Sequence, residues 1–327
     1  MTDKKLAITM GDPAGVGPEV CLMLLQEVKS LPSVDLVIYG DHTILERVAS
    51  ATGLPLPSRS MVRHIPSLPD ASAVAPGEVS SDCGKAAYDF LITAIDAALA
   101  NEIDGLVTAP LNKEALQAAG IHFPGHTEIL SARTKSDRTC MLQYSREVTA
   151  TFVTCHCGYA EVPRLLTRER LREVIDLTNE AIGRIKKHPP KLVVLGLNPH
   201  AGEHGLFGAS EEELIILPEV EAAKARGIDI CGPIPPDTAF IPGTRQSTDA
   251  FVCMYHDQGH IPLKALAFDS AVNVTLGLPI VRTSVDHGTA FNIAWTGAAN
   301  PGSILAATRL AIDLCYDRSG HSPVCFV

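Results

Sequence analysis

The stretch KLAITMGDPAGVGPEVCLMLLQEVK, residues 5–29 of the 327-residue chain, decides the fold. An apolar run from Lys5 to Met10 has strand character. It enters the glycine-rich turn Gly11-Asp12-Pro13-Ala14-Gly15-Val16-Gly17, and a helix follows from about Pro18 to Lys29. Proline is tolerated in that first helical turn because its missing N–H has no intrahelical partner there. Val34 to Tyr39 reads as a second strand and Asp41 to Ala51 as a second helix with an aspartate cap. Strand, helix, strand, helix in close succession predicts a parallel sheet.

Working outward, Asp82 to Ala100 is an alanine-rich helix, and Gly105 to Thr108 is a short buried strand. That strand opens into Ala109-Pro110-Leu111-Asn112-Lys113 and a helix reaching Ala119. The rhythm then breaks. Thr139 to Tyr144 and Val148 to Thr154 read as two strands joined by a tight turn at Ser145-Arg146-Glu147, which predicts a second domain with antiparallel character. Thr167 caps a helix running to about Arg184. Lys191 to Leu195 and Ala250 to Tyr255 are buried strands, with a helix at Glu211 to Ala225 between them. Strands at Ala271 to Leu276 and Ile280 to Thr283 precede a last helix, Ser303 to about Tyr316, with Ile304, Ala307, Ala311 and Leu314 on one face. A chain of this length suits two lobes of ordinary size, and neither an internal repeat nor a low-complexity linker is visible.

Composition narrows the function. With 46% hydrophobic and 20% charged residues the chain is globular, and no apolar run is long enough to cross a bilayer. The N-terminus enters a strand with no signal-peptide pattern, so a cytoplasmic location is expected. The formal charge of −10 argues against nucleic acid or an anionic membrane as the main partner. Nine cysteines are scattered, and only Cys155 and Cys157 come close together. This supports neither a disulfide framework nor a cysteine zinc cluster, and leaves the cysteines as mostly small core residues.

Three histidines occupy matched positions: His156 after the strand ending at Thr154, His200 after the strand ending at Leu195, and His256 after the strand ending at Tyr255. Ligands of open α/β sheets bind at the carboxyl ends of strands, where these imidazoles would form an open metal site for zinc or another late first-row divalent ion. Lys264, Arg282 and His260, with Asn273 between, form a set of donors suited to phosphate or carboxylate. The turn Gly125-His126-Thr127-Glu128 opens a helix whose backbone N–H groups could hold an anionic oxygen. No Gly-x-Gly-x-x-Gly follows a strand, and P-loop and Gly-x-Ser-x-Gly patterns are missing, which disfavours a Rossmann dinucleotide site, a P-loop and a serine hydrolase.

Six motifs occur in order across nearly the whole chain. They are Gly-Asp-Pro-Ala-Gly-Val-Gly-Pro-Glu at 11–19, Thr-Ala-Pro-Leu-Asn-Lys at 108–113, Pro-Gly-His-Thr-Glu at 124–128, Leu-Asn-Pro-His-Ala-Gly-Glu at 197–203, Met-Tyr-His-Asp-Gln-Gly at 254–259, and Arg-Thr-Ser-Val-Asp-His-Gly-Thr-Ala at 282–290. Together they closely resemble the 4-hydroxythreonine-4-phosphate dehydrogenase family of vitamin B6 biosynthesis. His-Gly-Thr-Ala-Phe-Asn-Ile-Ala at 287–294 also resembles the adenosine-binding loop of isopropylmalate and isocitrate dehydrogenases. That likeness implies NAD binding through His287, Gly288, Thr289, Ala290 and Asn292 without a Rossmann fingerprint. It also implies two α/β domains flanking a cleft. Their boundaries are expected at 1–125 plus 268–327 for the NAD side and 126–267 for metal, substrate and dimerisation.

The resemblance makes His156, His200 and His256 the metal ligands, and His126, Thr127, Lys264, Asn273 and Arg282 the substrate-binding residues. It implies a homodimer whose metal site draws ligands from both subunits. Segments 205–208, 259–264 and 290–297 look more like the branch of sugar-acid catabolism that oxidises 4-phospho-D-threonate or 4-phospho-D-erythronate. The expected activity is NAD-dependent oxidative decarboxylation of a four-carbon 3-hydroxy acid 4-phosphate, with zinc, or else cobalt, magnesium or manganese. Lys264 and Asp237 are the candidates for proton transfer. The alternatives are a phosphate acyltransferase of related fold and a non-catalytic metal- or metabolite-binding protein.

Overall fold

The computed structural model describes residues 4–267 and 270–316. Among these the strands run, in chain order, β1 (Lys4–Thr9), β2 (Val34–Gly40), β3 (Val62–His64), β4 (Gly105–Thr108), β5 (Cys140–Tyr144), β6 (Ala150–Phe152), β7 (Leu192–Leu195), β8 (Ile230–Ile234), β9 (Ala250–Cys253), β10 (Val272–Leu276) and β11 (Val281–Val285). Two compact units result, one from the chain up to Asp137 with the part from Leu278 onward, the other from Arg138–Gly277. Both are α/β.

In the first unit the strand order is β3-β2-β1-β4-β11 and every pairing is parallel. β4 is buried along its length, as expected of a strand covered on both faces. Helices Ser81–Leu99 and Gly302–Tyr316 pack on β1 and β4. Ala7, Tyr39, Leu91, Ile95 and Leu106 are among the core residues. The opening turn needs its glycines. Gly11 has φ +71°, and a Cβ there would overlap the Pro110 carbonyl oxygen, while a Cβ at Gly17 would overlap that of Met10. The following helix spans Gly17–Gln26, and Val28–Ser30 tightens into a 3₁₀ turn, so the helix is shorter than expected. Asp41 caps helix His42–Thr52 through Ile44 N–H, as read from the sequence.

In the second unit the order is β10-β5-β6-β9-β7-β8. β10 with β5 and β5 with β6 are antiparallel, and the remaining pairs are parallel. The expected hairpin is β5–β6. Ser145 Oγ closes its turn, accepting from Val148 N–H at 3.0 Å and donating to Val148 O at 2.7 Å. Thr167 caps helix Arg168–Lys186. Phe152, Val193, Leu195, Phe251 and Leu263 form the core.

Three elements of this unit depart from the sequence expectation. β8 carries the sequence ICGPI, whose Gly-Pro pair reads as loop, and it pairs with β7 from the end of the strand order, where proline is tolerated. The segment expected as one helix from Glu211 starts with a π-helical turn, Glu212–Ile216, before the α-helix Leu217–Ala225, which has proline in its first turn. Helix His256–Ala267, where no element was expected between the strands Ala250 to Tyr255 and Ala271 to Leu276, contains Pro262 and Gly259. Tertiary packing overrides both. Leu263 and Ala267 are buried, and a Cβ at Gly259 would press on Phe152, so glycine lets the helix approach β6. No helix among the described residues is long and apolar enough to cross a membrane.

Candidate active site

In the second unit β6, β9 and β7 lie side by side and parallel, so His156, His256 and His200 follow the carboxyl ends of neighbouring strands. The tertiary structure divides them. The ring centroids of His156 and His256 are 5.9 Å apart. Their ligating atoms and Cys155 Sγ all lie within 4.8 Å of one another. His200 is not in that group. It sits on a left-handed turn in which His200, Ala201, Gly202, Glu203 and His204 all have positive φ. Glu212, almost fully buried, holds the turn by accepting from Asn198 N–H at 2.7 Å and Asn198 Nδ2 at 3.0 Å.

Both His256 and His200 are oriented by a carboxylate. His256 Nδ1 is 2.7 Å from Asp257 Oδ1, and His200 Nδ1 is 2.8 Å from Glu203 Oε1. A donor N–H on Nδ1 leaves the Nε2 lone pair for a metal, the usual arrangement behind a ligating imidazole. Asp257 also accepts from the Tyr159 hydroxyl, and the hydrogen bonds from Tyr159 and His256 hold its carboxyl below the usual range. His256 stacks on His260 at 3.8 Å with a 7° tilt, and His260 stacks on Phe152 at 4.5 Å. His260 is therefore a buried part of the scaffold rather than a solvent-facing side chain. Its Nε2 lies 3.4 Å from Gln143 Nε2, and Asn273 is the cross-strand neighbour of Gln143. Gln258 ties the start of the helix to the sheet, accepting from Met254 N–H and donating to Gly196 O, each at 2.7 Å. Lys264 is half-buried, two turns beyond His256 on the face shared by i, i+4 and i+8. Asp237 is exposed in the short helix Pro236–Ala239.

The first unit gathers different chemistry. Arg282, on β11, is buried, and its Nη2 and Nε donate to Thr108 Oγ1 at 2.7 and 3.2 Å. Burial pulls its pKa down to about 9, against the charge of Glu128, so it remains cationic at neutral pH. His126 begins helix His126–Thr134. Desolvation, reinforced by the Arg282 charge, holds its pKa well below the ordinary value and keeps it neutral. Thr127 is half-buried beside it.

The loop carrying His287, Gly288, Thr289, Ala290 and Asn292 is stitched to the opening glycine turn. Val16 N–H donates to Thr289 O at 2.9 Å, Trp295 Nε1 to Pro13 O at 3.1 Å, and Ala299 N–H to Glu19 Oε1 at 3.0 Å. Gly288 and Asn292 are exposed, while His287, Thr289 and Ala290 are half-buried. His287 Nδ1 is engaged with Gly288 O, whereas Nε2 is shielded and has no partner among the described residues. Beneath the turn, Asp12 is fully buried. Its Oδ1 accepts from Ala14 N–H, its Oδ2 has no partner among the described residues, and burial raises its pKa to about 6.

These donor sets fit the implied groups. Two imidazoles with a thiol nearby suit a late first-row divalent ion, and a shielded, unpartnered ring nitrogen in an exposed loop suits a hydrogen-bonding nucleotide. Sequence reasoning passed over Asp257, left Cys155 among the core cysteines, and read His260 as an anion donor, whereas it is stacked between His256 and Phe152. The available signals were the Cys-His-Cys run at 155–157 and the i, i+4 spacing of His256 and His260.

The fold is that of the isocitrate dehydrogenase class. It matches isocitrate dehydrogenase from Methylococcus capsulatus with a TM-score of 0.50 at 15% identity, covering 96% of this chain and 88% of that one. Within the class, the chain belongs to the family described as pyridoxal phosphate biosynthetic protein PdxA, whose model matches residues 33–311. It is 41% identical to D-threonate 4-phosphate dehydrogenase of Pectobacterium atrosepticum, covering 95% of this chain and 99% of that protein. It is 39% identical to 4-hydroxythreonine-4-phosphate dehydrogenase of Desulforapulum autotrophicum, covering 95% and 96%. The crystal structure of 4-hydroxythreonine-4-phosphate dehydrogenase from Klebsiella pneumoniae superposes with a TM-score of 0.81 at 38% identity, covering 96% of this chain and all of that one. The chain is thus an oxidoreductase of a dehydrogenase family.

Proposed function

We propose that the protein is an NAD- and divalent-metal-dependent dehydrogenase that oxidatively decarboxylates a four-carbon 3-hydroxy acid 4-phosphate. The substrate is 4-phosphohydroxy-L-threonine, giving 3-amino-2-oxopropyl phosphate, or 4-phospho-D-threonate or 4-phospho-D-erythronate, giving dihydroxyacetone phosphate. Carbon dioxide and NADH are formed in either case. The observation that carries this reading is the His156–His256 pair, with His256 fixed by Asp257 and Lys264 two turns along the same helix. Bound to the protein, NAD would take the C3 hydride, and the metal ion would act as a Lewis acid toward the C3 hydroxyl and a carboxylate oxygen.

The chain's own residues have separable jobs. His156 and His256 would hold the metal from one chain, and the partner subunit's His200 would complete the set. Two features support that division: His200 is pre-oriented by Glu203 yet stands apart from the other two, and exposed apolar side chains are concentrated in the second unit. Leu206 is 70% exposed and Ile261 66%, values suited to a surface covered by a second copy. Zinc suits the imidazole donors, with cobalt, manganese or magnesium as substitutes.

In the first unit Arg282 would pair with phosphate or carboxylate through its guanidinium, while neutral His126 and the Thr127 hydroxyl would supply hydrogen bonds without adding charge. In the second unit Asn273 would orient a substrate oxygen, and Lys264 would neutralise developing charge and deliver the proton that replaces the lost carboxylate. Asp237 is the weaker candidate for that proton because it is exposed on a four-residue helix. The loop 287–292 would receive the adenosine part of NAD, with His287 Nε2 as one donor or acceptor. A panel of the three phosphorylated acids, with added zinc, cobalt or magnesium, tests the reading. NADH and carbon dioxide should form in equal amounts with at least one acid; NADH without gas would leave a plain alcohol dehydrogenase.

A further inference from the structure

We infer that Cys155 is a metal ligand of this chain, so that its in-chain donor set is two imidazoles and one thiolate rather than imidazole alone. This rests on the metal-site reading above and sharpens it.

Cys155 immediately follows Thr154, whose N–H and hydroxyl both bond Met254 O, at 3.1 and 2.8 Å, and this locks the end of the β6 strand run against that of β9. The next residues turn sharply, with Cys157 N–H donating to Cys155 O at 2.7 Å. In that turn the side chains of Cys155 and His156, which would point to opposite faces of a continuing strand, face a common point with His256. Cys155 is half-buried, unlike the fully buried Cys21, Cys83, Cys140, Cys253 and Cys315. Desolvation raises the thiol pKa of Cys21, Cys83, Cys140 and Cys253, which keeps those buried thiols protonated and out of the donor set. Met141 Sδ lies 3.9 Å from Cys155 Sγ, so the wall behind the thiol is also soft and polarisable.

The chemistry then follows from ligand softness. Thiolate discriminates against magnesium and manganese and in favour of zinc and cobalt. The residue is therefore expected to set metal choice at this site.

Cobalt substitution tests this directly. The full-length protein is stripped with chelator and loaded with cobalt(II), and its spectrum is compared with those of Cys155→Ser and Cys157→Ser. The expected result is a near-ultraviolet sulfur-to-cobalt charge-transfer band in the native protein and in Cys157→Ser, lost in Cys155→Ser while the visible ligand-field bands persist. If native protein shows ligand-field bands and no charge-transfer band, or if Cys157→Ser alone removes it, the Cys155 assignment falls and the histidine site stands. If native protein binds no cobalt, the metal-site reading falls with it. Should Cys155→Ser fail to fold, X-ray absorption of the native zinc protein decides the matter. A sulfur scatterer at about 2.3 Å supports the assignment, and a shell of nitrogen and oxygen alone at about 2.0–2.1 Å overturns it.

Discussion

The two units solve different electrostatic problems. Both units bury charge, but the first does so on the segments proposed to bind ligands: Arg282 inside a parallel sheet against Thr108, Asp12 under the glycine turn, Glu19 beneath the start of the first helix. Four of its polar side-chain atoms, on Asp12, Glu19, His42 and His287, are shielded and have no partner among the described residues. The second unit keeps His156, His200 and His256 at least partly exposed at strand ends and steers two of them with carboxylates. Its surface carries exposed Leu206, Leu214, Ile241 and Ile261. A buried, fixed guanidinium such as that of Arg282 is suited to recognising an anionic group without water in competition. Half-exposed imidazoles beside apolar side chains are suited to a site finished by a metal and a second chain.

The contrast can be broken in a definite order. The largest effect should come from His256→Ala, which removes a proposed metal ligand from the second unit. Zinc affinity should fall at least about 100-fold, with turnover lost in parallel, as read by metal content after dialysis; Asp257→Asn should cost less, about 10-fold to 100-fold. Retention of stoichiometric zinc by His256→Ala would remove the metal role from this unit.

Next is Asp12→Asn, which tests the first unit's buried charge. The Asp12 pKa is raised from 3.8 to about 6, so the folded state holds the proton more tightly than the unfolded state does. That contribution is fully present below about pH 4 and is lost as pH rises through about 6. Between those limits native protein should lose roughly 3 kcal/mol that the amide variant does not lose. Urea unfolding at several pH values measures the gap. Parallel pH dependences for the two proteins would show that Asp12 titrates normally.

Arg282→Ala should raise the KM for the phosphorylated acid by at least about 30-fold, the equivalent of about 2 kcal/mol for a desolvated charge partner. Arg282→Lys should recover part of it. A smaller effect is expected from Phe207→Asp, which places a charge beside His200. Sedimentation should show self-association weakened by about 10-fold, with zinc affinity falling alongside it if the partner subunit's His200 completes the site. Unchanged zinc affinity in a monomeric variant would separate the metal from the dimer.

Much of this was legible in the chain. Strand and helix periods, the glycine turn, the Asp41 and Thr167 caps and the Ser145 hairpin are local signals, encoded within a few residues of where they act. β8 was hidden by its Gly-Pro pair, and helix His256–Ala267 by Pro262, because local propensity argues against both and only packing forms them.

The sequence by itself determined the α/β class, the family and the placing of three histidines after three strands, since these depend on local pattern and on motifs that can be read in order. The tertiary structure decided which of those residues meet. It brought the neighbours Cys155 and His156 to His256, left His200 on its left-handed turn, and buried Arg282 against a threonine 174 positions away. Strand order and the aim of a side chain at a strand end are set by long-range pairing and close packing, which no local spacing records.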